Sequence, residues 1–171
     1  TITAGAGADT IILTESVSAA DIVKFTAVSD SAASVAANTT VTFDTIKDFV
    51  TGTDKLNIAG INTILTGATA ATGVTLTTLK TDATGLNDTT IANFAELVTA
   101  AGTLKASDNG DGTSADGIQA YLIDLTGNTG ALGTGTYLVI NNNNTTLDAN
   151  DVMIQLTGTT TTVAAGDFTL A

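Results

Sequence analysis

The stretch DTIKDFVTGTDKLNIAGI, residues 44–61, decides the fold. Ile46 and Phe49 lead into a Thr-Gly-Thr-Asp turn, and apolar and polar residues then alternate through KLNI, residues 55–58. Short apolar segments on either side of a turn of small polar residues are typical of β-strands. We therefore expect two short strands here, joined by a tight turn.

The composition of the whole chain is that of a mainly β protein with polar turns. Its 171 residues include 37 Thr, 17 Gly and 12 Asn, but no Pro or Trp. Threonine is β-branched and favours strands, whereas Gly, Asn and Asp favour the turns between them. The length suits one or two domains. Because the chain begins at Thr1 rather than Met, we expect it to be a processed or excised part of a longer protein.

Several functions are excluded by residues that the chain lacks. Without His or Cys it has no imidazole or thiolate for a catalytic triad, or for a zinc, copper, haem or iron–sulfur site. It also lacks arginine and has a net charge of −12, which argues against nucleic-acid binding. No apolar run is long enough to span a bilayer, so no membrane insertion is expected.

Catalysis by the chain itself is also unsupported. Two aspartates could act as a glycosidase acid–base pair, but the sequence shows no motif or aromatic platform for a sugar. Thr1 could act as an N-terminal nucleophile, but no nearby base stands out. We therefore expect that the chain is not an enzyme.

The acidic residues indicate a calcium-binding protein. Fifteen of the 17 acids are Asp, which favours turns, where its short side chain reaches nearby backbone groups or a cation in the same loop. The metal ligands that remain are the hard oxygens of Asp, Asn, Thr and the backbone. These ligands suit Ca²⁺ better than other common metals.

The first candidate site lies in TITAGAGADTIILT, residues 1–14. Gly5, Gly7 and Asp9 fit the calcium-binding nonapeptide pattern G-G-x-G-x-D-x-U-x, with Ala4 at the first glycine position. The glycines would allow a tight turn whose carbonyls point inward, and Asp9 would supply negative charge. The alternative is a plain β-turn.

Three further candidate sites follow along the chain. In the central stretch, Asp48 and Asp54 are candidate ligands, and turn capping is the alternative role for them and for Asp44. The loop 107–117 holds three aspartates, Asp108, Asp111 and Asp116, which repel one another unless a cation offsets their charge. The alternative is a solvated loop without an ion. The loop 141–151 carries Asp148 and Asp151 after four asparagines, which also serve in simple turns.

The rest of the chain predicts a sheet with one helix. A helix is expected at about 90–101, where apolar residues form one stripe, with capping residues at 88–90 and a stop at Gly102. We expect residues 136–140, nearly all apolar, to be a central strand. The other expected strands are 20–28, 39–43, 74–79, 118–125, 152–156 and the C-terminal GDFTLA.

Three blocks of the chain together resemble the C-terminal region of RTX proteins exported by type I secretion. GAGADTIIL resembles the last β-roll repeat, DTIKDFVTGTDKLNI resembles the segment that closes such rolls, and residues 107–171 resemble the terminal hairpin and capping strand. The composition is most similar to the C-terminal domain of Gram-negative surface-layer proteins.

This resemblance implies a fold and a set of ligands. The expected fold is the end of a parallel β-roll with its closing segment over 1–61, followed over 62–171 by a β-sheet capping and secretion module with one short helix. Gly5, Gly7 and Asp9 map to the repeat, and Asp48 and Asp54 map to the closing segment. Only one repeat is near-complete, so this chain alone cannot form a full calcium ladder.

The resemblance also implies a function. The chain would be the secretion and assembly module of a calcium-dependent surface-layer or related matrix protein, exported by the type I machinery of a Gram-negative bacterium. It would fold when it meets Ca²⁺ outside the cell and would self-associate there into a lattice or filament. The alternative is the type I secretion tail of a secreted protease, lipase or adhesin, whose activity would lie upstream.

Overall fold

The structure is a computed structural model that describes residues 1–17, 19–33, 43–62, 74–80, 90–101, 118–125, 127–141, 151–158 and 161–170. Within these ranges the protein is mainly β, as the composition predicts. The strands are β1 (Thr10–Ile12), β2 (Ile22–Lys24), β3 (Asp44–Lys47), β4 (Lys55–Asn57), β5 (Val74–Lys80), β6 (Ile118–Asp124), β7 (Thr136–Ile140), β8 (Val152–Thr157) and β9 (Phe168–Thr169). The helices are α1 (Ala59–Asn62) and α2 (Phe94–Ala101), with 3-10 helices at Val28–Ser31 and Ala165–Asp167.

The described strands form two sheets. The large sheet has the order β1-β3-β8-β7-β6-β5, and the small sheet has the order β2-β4-β9. Every pairing between two described strands is parallel except the two that β7 makes, with β6 and with β8, and an isolated antiparallel bridge joins Ala32 to Val152. An additional parallel bridge joins Ile2 to Val23 beside the small sheet.

Within the described residues, the chain passes three times from a strand of the large sheet to a strand of the small sheet. We call each pass a rung: β1 and β2 form the first rung, β3 and β4 the second, and β8 and β9 the third. Each rung contributes one strand to each sheet and stacks in parallel on the rung before it. Between the second and third rungs the chain forms β5, α2 and the hairpin β6–β7. The strands β7, β6 and β5 extend the large sheet beyond β8.

The main core lies between the two sheets. Alternate residues of each strand face inward, as the period of two in a β-strand requires. Ile11, Ile46 and Ile154 come from successive strands of the large sheet, and Val23 and Leu56 come from the small sheet; all five are buried. Apolar burial is the dominant favourable term in folding, so this core holds the rungs together.

A second core covers the opposite face of the large sheet. Phe94 and Leu97 of α2 pack here with Tyr121, Tyr137 and Val139. The rings of Phe43 and Tyr137 meet edge to face, with centroids 5.8 Å apart. Because both faces of β7 are covered, all five of its residues are buried, which confirms the prediction of a central strand over 136–140.

The helix begins later than the sequence pattern predicts. The Glu96 N–H donates to Asn93 Oδ1 at 3.0 Å, and the Ala92 N–H donates to Glu96 Oε2 at 2.7 Å. This reciprocal cap satisfies N–H groups at the helix start, so α2 begins at Phe94 rather than near residue 90. The strand predicted over 39–43 lies largely outside the described residues. None of the described helices has the length and apolar character needed to cross a membrane.

Candidate functional site: aspartates between the rungs

Two glycines in the left-handed conformation lie in the turn before β1. Gly5 and Gly7 have φ values of 93° and 120°, in the left-handed region that residues with a Cβ rarely adopt. Asp9 follows the turn and directly precedes β1. Its N–H donates to Asp44 Oδ1 at 2.8 Å, and its carbonyl accepts the Thr45 N–H at 2.8 Å. The turn is therefore tied to the second rung.

Asp44 occupies the position in the second rung that Asp9 occupies in the first. Thr10 is in register with Thr45, so the two aspartates are neighbours at the start of adjacent strands. The Asp44 side chain is completely buried, and its Oδ2 has no hydrogen-bond partner among the described residues. Burying a carboxylate oxygen without a partner is costly, so the described residues leave this atom in need of a proton, a water, a cation or a donor from elsewhere in the chain.

The charge on Asp44 is disfavoured by its surroundings. Burial raises its pKa to about 6, and the negative charges of Asp9 and Asp30 act in the same direction, whereas the hydrogen bond from the Asp9 N–H acts against them. The Asp44 N–H donates to Ser31 Oγ at 2.8 Å, and the Ser31 hydroxyl donates to the Met153 carbonyl. Asp44 is therefore bonded, directly or through Ser31, to groups on the first and third rungs.

The small sheet repeats the arrangement with Asp21 and Asp54. Ile22 is in register with Lys55, so these aspartates also precede adjacent strands. The Asp21 N–H donates to Asp54 Oδ1 at 3.0 Å, and the Val50 N–H donates to Asp54 Oδ2 at 2.8 Å. Both oxygens of the buried Asp54 carboxylate are thus used: Oδ1 joins the two rungs, and Oδ2 accepts a hydrogen bond inside the turn of the second rung.

Asp167 makes the same kind of connection from the third rung to the second. Its carboxylate accepts the Gly52 N–H at 2.8 Å, the Ala164 N–H at 2.8 Å and the Thr51 hydroxyl, and Lys55 Nζ lies 3.5 Å away. Burial raises the pKa of Asp167, but the three hydrogen bonds and the lysine outweigh it and leave the pKa below its usual value.

The three connections follow one rule. A buried aspartate in each later rung accepts a backbone N–H from the rung before it: Asp44 from Asp9, Asp54 from Asp21, and Asp167 from Gly52. We call these three residues the rung aspartates. Hydrogen bonds to a carboxylate are stronger than those between neutral groups, so each rung aspartate fixes the stacking of two rungs. Of the three, Asp44 has the oxygen without a described partner.

The remaining predicted ligands within the described residues have different surroundings. Asp48 has a φ of 63°, accepts a hydrogen bond from the Thr14 hydroxyl and packs closely against Gly158. Its N–H donates to the Thr157 carbonyl at 2.9 Å, which again joins the second rung to the third. Asp151 is buried just before β8, and its carbonyl accepts the Ala33 N–H at 2.8 Å.

Four predicted ligands lie outside the described residues: Asp108, Asp111, Asp116 and Asp148. Across the part of the chain that the structure does describe, no group of three or more acidic side chains is arranged to hold a metal ion. From the described residues alone, a cation at Asp44 would therefore draw on backbone or hydroxyl oxygens in addition to carboxylates.

The local sequence does not predict the structural roles of Asp30 and Asp167, and it predicts only turn capping for Asp44. Asp30 Oδ2 accepts the N–H groups of Thr26 and Ala27 at 2.7 and 3.2 Å, and so caps the 3-10 helix that follows the first rung. A signal for Asp44 was present, because Asp-Thr-Ile occurs at both 9–11 and 44–46. That repeat marks the two strands that pair in parallel.

Compared with known proteins, the chain matches no protein-family model and no curated protein.

Proposed function

We propose that the chain is a calcium-binding extracellular structural module, the C-terminal secretion and assembly part of a surface-layer or related matrix-forming protein. The observation that carries this proposal is the Asp9–Asp44 pair at the start of β1 and β3. Two acidic residues stack in register on adjacent rungs, beside a glycine turn, and one buried carboxylate oxygen has no described partner.

The residues present fit a hard cation. Asp44 and Asp9 would supply carboxylate oxygens, and the turn that contains Gly5 and Gly7 would supply carbonyl oxygens, which together are the ligands that Ca²⁺ prefers. A bound cation would offset the repulsion that now opposes the charge on Asp44. It would thereby stabilise the contact between the first two rungs.

The parallel rungs also agree with the finer fold that we propose, the end of a parallel β-roll followed by a capping module. Each of the first two rungs places one strand in each sheet, and β8 and β9 add a third rung after the insertion. In this interpretation α2 and the β6–β7 hairpin belong to the capping module. The predicted loop sites at 107–117 and 141–151 remain part of the proposal.

Folding would then depend on the calcium concentration. The chain carries a charge of −12, which opposes compaction when no cation is present. At a free calcium concentration about ten times the dissociation constant, one site stabilises the folded state by about 1.4 kcal/mol. Several such sites together would approach the free energy of unfolding of a whole domain, which is roughly 5–15 kcal/mol. The chain would stay unfolded during type I export and fold outside the cell.

Circular dichroism and thermal unfolding of the full chain test this proposal. The chain is first measured in EGTA and then titrated with CaCl₂, with MgCl₂ as the control salt. We expect Ca²⁺ to increase the β signal and to raise the melting temperature, and we expect Mg²⁺ to do much less because it demands smaller, octahedral sites.

Variants locate the response. Asp9→Asn and Asp44→Asn should reduce the rise in melting temperature that calcium causes, whereas Asp124→Asn, a half-buried aspartate at the end of β6, is the matched control. A melting temperature and spectrum that do not change with calcium would contradict the proposal. An equal response in all three variants would place calcium away from the Asp9–Asp44 pair.

A further inference from the structure

We infer that Ser31 is a positioning residue for the proposed cation site and that it couples this site to the third rung. The inference rests on the proposed function, because it concerns the same Asp9–Asp44 pair. The observation that carries it is the hydroxyl of the completely buried Ser31, which bonds to the backbone of Asp44 on one side and to the backbone of β8 on the other.

The hydroxyl lies at the first position of the ladder between β3 and β8. Further along this ladder, the Asp48 N–H donates to the Thr157 carbonyl at 2.9 Å. Moving four residues back along both strands, in the same parallel register, leads to the Asp44 N–H and the Met153 carbonyl. Both groups bond to Ser31: the N–H donates to Oγ at 2.8 Å, and the hydroxyl donates to the carbonyl. The hydroxyl thus fastens the start of the second rung to the start of β8.

The backbone holds Ser31 in place on both sides along the chain. Before it, the Asp30 carboxylate accepts two backbone N–H groups and so caps the 3-10 helix that ends at Ser31. After it, an antiparallel bridge joins Ala32 to Val152 at the start of β8. A side chain on a backbone that is tied at both ends has little freedom to move. The hydroxyl is therefore a firm support for the backbone of Asp44.

Asp44 is fixed from two directions as a result. Its Oδ1 accepts the Asp9 N–H of the first rung at 2.8 Å, and its own N–H is bonded to Ser31. Calcium ligands lie about 2.3–2.6 Å from the ion, so a small shift of the Asp44 backbone would move its carboxylate away from the binding geometry. Removing a group that orients a metal ligand typically weakens metal binding about 10–100-fold. We expect a loss of about tenfold when the Ser31 hydroxyl is removed.

The coupling acts in both directions. If the docked third rung holds Asp44 in the geometry that binds the cation, then a bound cation stabilises the docking of the third rung by the same factor. Neither Asp9 nor Asp44 belongs to that rung. Calcium at the first two rungs would therefore also fasten the β8 end of the chain, through the Ser31 hydroxyl.

Urea unfolding of the full chain, in EGTA and in CaCl₂, separates a positioning role from a merely structural one. The readout is the calcium increment, which is the gain in the free energy of unfolding that calcium produces in each variant. This increment depends on the calcium affinity of the folded state. A substitution that only destabilises the fold therefore leaves the calcium increment unchanged.

Four variants are compared with the wild type. Ser31→Ala removes the hydroxyl, and Ser31→Cys keeps its size but is a weaker hydrogen-bond donor. Ser29→Ala is the matched control, because Ser29 is an exposed serine of the same 3-10 helix. Leu97→Ala controls for lost stability, because Leu97 is buried in the second core.

Ser31→Ala should bind calcium about tenfold more weakly. Well above the dissociation constant, this loss lowers the calcium increment by about 1.4 kcal/mol. Ser31→Cys should show a smaller reduction, whereas Ser29→Ala and Leu97→Ala should keep the increment of the wild type. Circular dichroism verifies that each variant folds. If Ser31→Ala does not fold, the comparison is made with Ser31→Cys.

Equal increments in the wild type and the folded Ser31 variants would overturn the inference and leave the calcium proposal standing. An increment that falls as much in Leu97→Ala would overturn it as well, since any loss of stability would then have this effect. A wild type without any calcium increment would contradict the calcium proposal itself, and the coupling with it.

Hydrogen exchange tests the link to the third rung. Calcium should slow the exchange of the amides at 152–154 about tenfold in the wild type, because the bound cation favours the docked rung. The slowing should be smaller in Ser31→Ala. A slowing that is confined to residues 5–12 and 44–47 would overturn the link between the cation site and the third rung.

Discussion

Replacing Asp44 by Asn should remove a pH dependence of stability that the buried carboxyl creates. The pKa of Asp44 is raised from 3.8 to about 6 in the folded protein. At roughly 1.4 kcal/mol per pH unit, this difference corresponds to about 3 kcal/mol. Because the folded state holds the proton more tightly, this stabilisation is present below pH 4 and is lost as the pH rises through 6.

The assay is urea unfolding of the wild type and Asp44→Asn between pH 4 and pH 7.5 in EGTA. Asparagine keeps an acceptor for the Asp9 N–H and carries no charge at any of these pH values. The free energy of unfolding of the wild type, relative to the variant, should fall by up to about 3 kcal/mol across this range. Asp21→Asn, which removes one charge from the small sheet, is the matched control.

Repeating the series in CaCl₂ connects this prediction to the proposed function. A cation at Asp44 would favour the charged carboxylate, so calcium should reduce or reverse the slope of stability against pH in the wild type and leave that slope unchanged in Asp44→Asn. Parallel curves for the wild type and Asp44→Asn in EGTA would refute the reasoning, because they would mean that the carboxyl titrates alike in the folded and unfolded chains.

Three further substitutions test the packing of the rungs by urea unfolding. Asp167→Ala leaves the Gly52 and Ala164 N–H groups without their acceptor and should lower the free energy of unfolding by about 2–3 kcal/mol above pH 5; a loss under about 0.5 kcal/mol would contradict its role between the rungs. Because its pKa lies below the usual value, this stabilisation should fade as the pH falls below 4. Gly158→Ala should lower the free energy of unfolding by about 2 kcal/mol or more, because the φ of Gly158 is 105° and an added Cβ would overlap the Asp48 carboxylate. Gly166→Ala is the control, since its Cβ would meet no atom within 4 Å and should leave the stability nearly unchanged. Ile46→Ala should cost about 2–5 kcal/mol because the side chain is completely buried, and Val17→Ala, 79% exposed, is its control; equal losses would contradict the position of the core.

The local features of the fold could be predicted from the sequence because they depend on neighbouring residues. The apolar run 136–140 is a buried strand, and the alternation of Val152, Ile154 and Leu156 places all three in the main core. The stripe of α2 packs on the sheet as its periodicity predicts. The helix begins later than its pattern predicts, because Asn93 and Glu96 form the cap.

The roles of the aspartates could not be predicted, because their partners are distant in sequence. Asp44 and Asp54 accept N–H groups from residues 35 and 33 positions earlier, and Asp167 accepts one from 115 positions earlier. An aspartate that stabilises a neighbouring strand and one that binds a metal have the same local sequence. Only the folded structure shows that backbone N–H groups donate to both oxygens of Asp54, whereas Oδ2 of Asp44 has no described partner.

The position of β8 has a consequence for the order of folding. Residues 152–157 pair with β3 on one side and β7 on the other, and Thr45 is in register with Gln155, 110 residues further along. A ribosome that makes the chain from its N-terminus releases β3 long before the strand that completes its pairing. Contacts of such long sequence separation form slowly, because the loop entropy is lost before the contact is gained. The nascent polypeptide consequently cannot complete its hydrophobic interior until β8 has been synthesised.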